Sequence, residues 1–328
     1  MPDLAAISAD SATMRVDRYL RQQFPNLSLG LIQRALRQRQ IRLNNKRIKG
    51  DVRIATGDIV YVPQFFLEDQ AEKPEGEKLK IDPKLAKKLE GMTVAVTPDY
   101  IVLNKPQGLA VQGGTGTRWH LDRLLPTLAT MHDDPADHLR IVHRLDKDTS
   151  GLMLVARGRK AAQILAKYFE RRQIKKYYLA LCHGTPELES GRIEAPLGKC
   201  PDMRYRPDGE RPKPAESDYA VFDRIPNVAA SIMLAPISGR THQLRAHLAL
   251  IDCPILGDEF YGAEPSDYIT ASPLCLHATA LRVPAIGNTP VQQYFQSPPN
   301  LLYSKAKEIG LSLPTANQLW TAWSNTEF

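Results

Sequence analysis

Apolar residues recur along the chain with two periods, and the points where the period changes divide it into segments. Between Met14 and Phe24, Val16, Leu20 and Phe24 fall at i, i+4 and i+8, which predicts a short helix with Thr13 placed to cap it. A second helix is expected from about Ser28, where Leu31, Ile32, Ala35 and Leu36 form one stripe and Arg34, Arg37 and Arg39 take the remaining surface. The period then falls to two over residues 41–49, broken by Asn44-Asn45, a pair that tolerates the positive φ of a tight hairpin. Gly57-Asp58 turns into a further strand, Ile59 to Val62.

From about Glu68 to Glu90, Glu, Lys, Asp and Pro dominate. This stretch reads as a solvated linker with at most one short helix, Pro83 to Leu89. Strands are then expected at Thr93–Val96 and Tyr100–Leu103, at Leu152, Leu154 and Ala156, at Lys175–Cys182, and in a segment ending at Gly239. Helices are expected over Lys160–Arg172, with Ile164, Leu165, Tyr168 and Phe169 inward, and over Thr241–Ile251. Interleaved helices and strands of this kind predict an α+β fold with a largely antiparallel sheet. Pro201 to Pro212 looks like an insertion rich in Arg and Pro.

A chain of 328 residues suits a small domain followed by a larger one. No stretch reaches the roughly 18 apolar residues of a membrane helix, and the first fourteen residues hold Asp3 and Asp10 but no Lys or Arg. The expectation is a cytoplasmic protein without a secretory or transit segment. Cys182, Cys200, Cys253 and Cys275 lie far apart, with no C-x-x-C and no His at finger spacing, so they read as reduced thiols. The net charge of +7 is concentrated at the front. Residues 1–62 hold eleven Lys or Arg against five acids, a surplus of six. Clustered cations on a small fold favour a phosphate-bearing partner, although a solvated basic face has the same composition.

Candidate chemistry lies in the run Ile141-Val142-His143-Arg144-Leu145-Asp146-Lys147-Asp148-Thr149-Ser150-Gly151, a charged loop between apolar segments. By itself such a loop is more often a salt-bridged surface turn. Ser150 is not a hydrolase nucleophile, because Thr149-Ser150-Gly151-Leu152 lacks the Gly-x-Ser-x-Gly elbow. Gly113-Gly114-Thr115-Gly116 lacks the P-loop ending and reads as a loop rather than a nucleotide cradle.

Three ordered blocks change the weight of that loop. His143-Arg144-Leu145-Asp146 with Thr149-Ser150-Gly151, then Lys175-Lys176-Tyr177-Tyr178-Leu179-Ala180, then Gly239-Arg240-Thr241-His242-Gln243-Leu244-Arg245 together resemble the RluA-type pseudouridine synthases. Leu103-Asn104-Lys105-Pro106, Pro254-Ile255-Leu256-Gly257-Asp258 and Leu276-His277-Ala278 support the likeness, which spans about residues 92–295. The front, with Arg15-Val16-Asp17-Arg18-Tyr19-Leu20, resembles the S4 RNA-binding module. This layout is similar to the branch acting on large-subunit ribosomal RNA, and Val111-Gln112-Gly113-Gly114 favours its C type over its D type.

The resemblance implies a pseudouridine synthase domain over 91–328, a charged linker over 67–90 and an S4-like domain over 13–66. It implies that Asp146 is the catalytic carboxylate, attacking C1′ or C6 or assisting a glycal route. Arg245 is then its cationic partner, and Tyr178 packs on the uracil and is the candidate for removing the C5 proton. Arg144 fills the gap left by the flipped base, while His143 either meets a phosphate or orients the loop. Leu276 lines the uracil pocket or simply packs, Arg240 contacts RNA or holds its turn, and Tyr177 is a core or surface aromatic. Arg15, Arg18, Arg34, Arg37, Arg42, Lys46 and Arg47 are the implied RNA contacts of the front module. No metal or organic cofactor is implied, because nothing is oxidised or transferred. The partner is RNA, no membrane is involved, and a monomer is expected. The alternatives are a non-catalytic RNA-binding or ribosome-assembly protein on the same fold, or a synthase acting on tRNA. Ser217, where Thr is commoner in the family, is one departure from the pattern.

Overall fold

The computed structural model describes residues 4–8, 14–24, 27, 29–48, 50–68, 83–113, 119–135, 138–262 and 272–324. Thr13, Ser28, Lys49, the Gly114-Thr115-Gly116 run and most of the charged segment before Pro83 lie outside them. The chain divides into two compact units, Met1–Lys78 and Leu79–Phe328.

In the first unit the helices run over Val16–Gln23 and Leu29–Arg37. The first starts two residues later than its apolar spacing suggests, because Met14 and Arg15 pair with Ile54 and Arg53 in a short antiparallel ladder. Val16, Tyr19, Leu20, Ile32, Ala35 and Leu36 are buried, and Phe24 meets Phe66 edge to face at 5.1 Å. Arg42–Leu43 and Lys46–Arg47 form the hairpin, with Asn44 and Asn45 at φ 46° and 68°. Asn44 fixes that turn, its Oδ1 accepting the Ile59 N–H at 2.8 Å and its amide donating to Asp58 at 2.6 Å. A strand that the periodicity did not reveal, Leu4–Ser8, lies antiparallel to Ile59–Pro63 and completes a four-stranded sheet.

The second unit is built on a ten-stranded sheet. Its main path runs Ser190–Glu194, Glu216–Ile225, Ala229–Pro236, Lys175–His183, Leu276–Val283, Ser150–Arg157, Tyr100–Lys105, Thr93–Val96. Gln292–Phe295 and Leu139–Ile141 pair beside it. Among the described residues every pairing in this sheet is antiparallel except one: Ser150–Arg157 runs parallel to Leu276–Val283 through Ser150 opposite His277 and Gly151 opposite Ala278. At that crossing Gly151 has φ 113°, and a Cβ there would run into the Ala278 backbone. Only glycine meets both conditions.

The central strands are buried on both faces. Ile101, Leu103, Met153 and Val155 face a core that includes Leu121, Leu124, Leu125 and Leu128 of the helix Leu121–Met131. Tyr100, Val102, Leu152, Leu154 and Ala156 face the opposite layer, with Ala161 and Leu165 of the helix Gly158–Glu170. Near the C-terminus, Leu302 and Ala306 of the helix Asn300–Ile309 join the first core. Leu319 of the helix Ala316–Ser324 packs on Leu179, Met233 and Ala280. Among the described residues no helix is long and apolar enough to cross a membrane. The four cysteines are buried free thiols.

One expectation is corrected. The strand expected to end at Gly239 ends at Pro236. The Ile237 and Ser238 N–H groups both turn onto the Glu216 carbonyl, which ends the ladder. The insertion-like stretch from Pro201 contributes Tyr205–Arg206 and Glu210–Lys213 to a three-stranded sheet centred on Leu197–Lys199.

Candidate active site

Asp146 lies in the loop that joins Leu139–Ile141 to Ser150–Arg157. Buried Leu145 anchors this loop in the main core. Behind it, the ammonium of fully buried Lys105 donates to the carbonyls of Lys147 at 2.9 Å, Leu109 at 2.9 Å and Pro106 at 3.1 Å. Burial lowers the Lys105 pKa to about 8. Gly108 adds a backbone bond to the same Lys147 carbonyl at 3.0 Å. The carboxylate is therefore presented on a braced turn.

His143 holds the loop from the other side. Its Nε2 accepts the Leu154 N–H at 2.8 Å, and its ring stacks on Phe169 at 4.3 Å. Burial, reinforced by the neighbouring Lys176 charge, pushes its pKa down to about 3. A neutral ring with its lone pair committed to the backbone ties the loop to the strand Ser150–Arg157. Arg144, by contrast, is exposed and lines the cleft beside Asp146.

Arg245 projects from the helix Gln243–Leu250 with one end of its guanidinium 3.8 Å from Asp146. The rest is clamped. Asp258 accepts from Nε at 2.7 Å and from Nη2 at 2.6 Å, and the rings of Phe260 and Tyr261 lie 5.4 and 5.6 Å away. Burial opposes the Arg245 charge, but the Asp258 bonds outweigh it and leave the pKa above the ordinary arginine value. Asp258 also accepts the N–H groups of Phe260 and Tyr261, at 2.9 and 3.1 Å.

The turn before this helix is held by one amide. Gln243 donates to the Glu216 carbonyl at 2.8 Å and to Ser217 at 2.9 Å, and accepts from Ser238 at 2.7 Å and from the Arg240 N–H at 2.9 Å. The Ser217 hydroxyl also meets His247 Nδ1 at 2.9 Å. A threonine would bring the same hydroxyl, so the departure at Ser217 keeps the bond that matters. Arg240 is exposed and bonds the Pro214 carbonyl at 3.1 Å, so it holds this turn while bordering the cleft.

Tyr178 is buried in the strand Lys175–His183. Burial raises its pKa, and the nearby Asp146 charge raises it further, so the phenol stays protonated. Tyr177 packs edge-on against Trp320 at 5.5 Å, a core aromatic. Asp146, Tyr178, Arg245 and Leu276 all line one recess of about 100 Å³, together with Arg144 and Arg240. Arg144, Asp146, Tyr178 and Arg240 also line a larger cleft of about 880 Å³.

The sequence reading placed these residues together but assigned no role to Lys105, Gln243 or Asp258, which brace the turn and the guanidinium. All three stand inside family-like blocks, which is their only signal in the sequence. The basic residues of the first unit belong to a separate compact body. There Arg18, Arg34, Arg37, Lys46 and Arg47 are exposed and Arg42 is half-buried, whereas Arg15 is already bonded to Asp17 at 2.8 Å.

The recess thus gathers the Asp146–Arg245 pair, a neutral phenol and Leu276, with cationic side chains at its border. Such a site can stabilise charge on an anomeric carbon and its leaving group. Residues 99–250 match the RNA pseudouridylate synthase family. A Vibrio cholerae serotype O1 protein, "Ribosomal large subunit pseudouridine synthase C", is 34% identical over 283 residues, covering 84% of this chain and 87% of that protein. The Rickettsia conorii protein of the same name is 36% identical over 258 residues, 76% of this chain and 82% of its own length. Among solved structures, "Human RNA Pseudouridylate Synthase Domain Containing 4" superposes with a TM-score of 0.60 at 28% identity, covering 71% of this chain and 98% of that one. "Human RNA Pseudouridylate Synthase Domain Containing 1" gives 0.57 at 26% identity, covering 71% and 94%. Similarity of this extent, over a span that contains Asp146, Tyr178 and Arg245, means that the chain belongs to the RNA pseudouridylate synthase family and is an RNA pseudouridine synthase, an isomerase.

Proposed function

We propose that this enzyme converts uridines of large-subunit ribosomal RNA into pseudouridine, with Asp146 as the catalytic carboxylate. One observation carries the site assignment. Asp146 faces Arg245 at 3.8 Å in a recess that also contains Tyr178, while Asp258 holds the guanidinium in place. The names of the Vibrio and Rickettsia relatives support the ribosomal substrate and the C type.

The target base is flipped out of the RNA, and the exposed Arg144 stacks into the gap. The N1–C1′ bond breaks and its electron pair stays on the uracil. Asp146 assists by bonding to C1′, by adding first to C6 so that the base detaches as the adduct, or by taking the C2′ proton to give a glycal. The base turns within the recess and C5 bonds to C1′, while the carboxylate recovers its pair by leaving C1′ or C6 or, on the glycal route, by handing the proton back to C2′. The C5 proton then passes to the Tyr178 hydroxyl as that hydroxyl gives its own proton to solvent, and N1 takes up a proton in exchange. The raised Tyr178 pKa favours such a relay over a phenolate base. Leu276 lines the uracil recess, His143 orients the loop, and Arg240 contacts RNA at the cleft border.

The front of the chain, residues 13–66, acts as an S4-like module. Its Arg15, Arg18, Arg34, Arg37, Arg42, Lys46 and Arg47 meet phosphates, a 67–90 linker follows, and 91–328 carries the chemistry. The enzyme works in the cytoplasm as a monomer. The test is to incubate it separately with protein-free large-subunit RNA, small-subunit RNA and tRNA, and to map pseudouridine in each. New pseudouridine in large-subunit RNA is expected. Modification of tRNA alone would refute the assignment.

A further inference from the structure

Lys176 is two residues before Tyr178 on the same strand, just before the ladder to Leu276–Val283 shifts register between Tyr177 and Tyr178. Lys176 and Tyr178 both line the recess and the larger cleft with Asp146. The Lys176 Nζ lies beneath Gly239, where a Cβ would sit 3.7 Å from it. His143 is close enough for the Lys176 charge to lower its pKa. Among the described residues the Lys176 ammonium has no hydrogen bond and no ion pair, unlike that of Lys105, which is bonded to three carbonyls.

A half-buried ammonium that lines the cleft with no protein partner is free to take one, so this position is suited to a ligand that brings negative charge of its own. The isomerisation generates such charge. On the C1′ and glycal routes the pair of the broken N1–C1′ bond resides on the base and spreads to O2 and O4; on the C6 route that pair spreads to O2, while the addition itself places charge on O4. On the reading of the recess as the uridine site, we propose that Lys176 is a further catalytic residue. Its ammonium hydrogen-bonds a uracil carbonyl and stabilises the anionic base while it is detached and turning. Burial lowers the Lys176 pKa to about 8, which leaves it largely protonated at neutral pH. No bond to Lys176 forms or breaks. It acts as the oxyanion donors of acyl-transfer enzymes do, by being placed where charge develops.

The experiment compares two leaving groups. Fluorine at C5 withdraws electrons and makes the detached base a more stable anion. It cannot leave as a proton does, so 5-fluorouridine stops at the C5-linked, still fluorinated isomer. Single-turnover rates at saturating RNA are measured for uridine and 5-fluorouridine with wild type, Lys176→Met and Lys176→Arg, alongside Asp146→Asn. Lys176→Met is expected to slow uridine on the order of 100-fold. It should slow 5-fluorouridine by a clearly smaller factor, and Lys176→Arg should recover most of the loss. Equal slowing of both substrates would overturn the proposal in favour of a packing role. A change in RNA affinity alone, with its salt slope lower by about one, would overturn it in favour of a phosphate contact. If Lys176→Met does not fold, Lys176→Arg decides, because the proposal requires it to stay within a few-fold of wild type on uridine. Full activity of Asp146→Asn would instead sink the reading of the recess, independently of Lys176.

Discussion

Replacing Asp258 by Ala removes both acceptors of the clamped Arg245 guanidinium and leaves the Phe260 and Tyr261 N–H groups without their partner. The Asp258 side chain is fully buried and that of Arg245 nearly so. Breaking a buried pair of this kind costs about 3–5 kcal/mol, because one charge stays behind uncompensated. In a unit of this size each kcal/mol moves the melting temperature by about 2–4 °C, so a fall of about 6–20 °C is expected. The freed guanidinium retains one carboxylate, Asp146 at 3.8 Å, and swings toward it. Misplacement of a reacting group by about 1 Å costs on the order of 100-fold in rate, and turnover should fall by that order with RNA affinity little changed. Circular dichroism melts and single-turnover pseudouridine formation read the two effects. A double-mutant cycle with Arg245→Met should be strongly non-additive, since that change is far less costly once Asp258 is gone. A melting temperature within 2 °C of wild type, as an approximate limit, together with undiminished turnover would refute the clamp.

Two further outcomes follow from buried and exposed charge. His277 is buried against Ser150 at 2.8 Å, and burial lowers its pKa to about 4 from an ordinary value of about 6.5. As pH falls from 6.5 to 4 the unfolded chain takes up a proton that the folded one refuses. Stability therefore drops by about 1.4 kcal/mol per pH unit in that window and levels below it, and urea titrations of His277→Asn should lack this contribution. In the first unit, Arg34→Gln with Arg37→Gln should weaken RNA binding and reduce the salt slope of log K by about 1.8, while the single-turnover rate at saturation stays unchanged. An unaltered slope would deny those arginines a phosphate contact.

The parts of the fold that the sequence disclosed are those governed by local periodicity. The stripes around Leu20 and Ile32 became helices because a single face of each is buried, and Asn44-Asn45 became a turn because both residues accept positive φ. Leu4–Ser8 carried no such mark, since its place depends on Ile59–Pro63 more than fifty residues away. The early end of the strand at Pro236 is set by the Glu216 carbonyl, also distant in sequence. Asp146, Tyr178 and Arg245 stand in three ordered blocks of the sequence, and the fold brings them to one recess. The groups that brace them there were not legible. Lys105 owes its role to three carbonyls gathered by two loops, and Asp258 meets Arg245 only after the helix Gln243–Leu250 has docked. Short strands near Tyr205 are mostly charged and exposed, so no apolar alternation announced them.

The most direct test follows the reacting atom. Large-subunit ribosomal RNA carrying tritium at uridine C5 is incubated with wild type and with Asp146→Asn, after checking that both fold and bind RNA alike. Tritium release by the wild type is expected, in step with pseudouridine formed, and none above background by Asp146→Asn. Appreciable release by the Asn variant would contradict a catalytic role for Asp146.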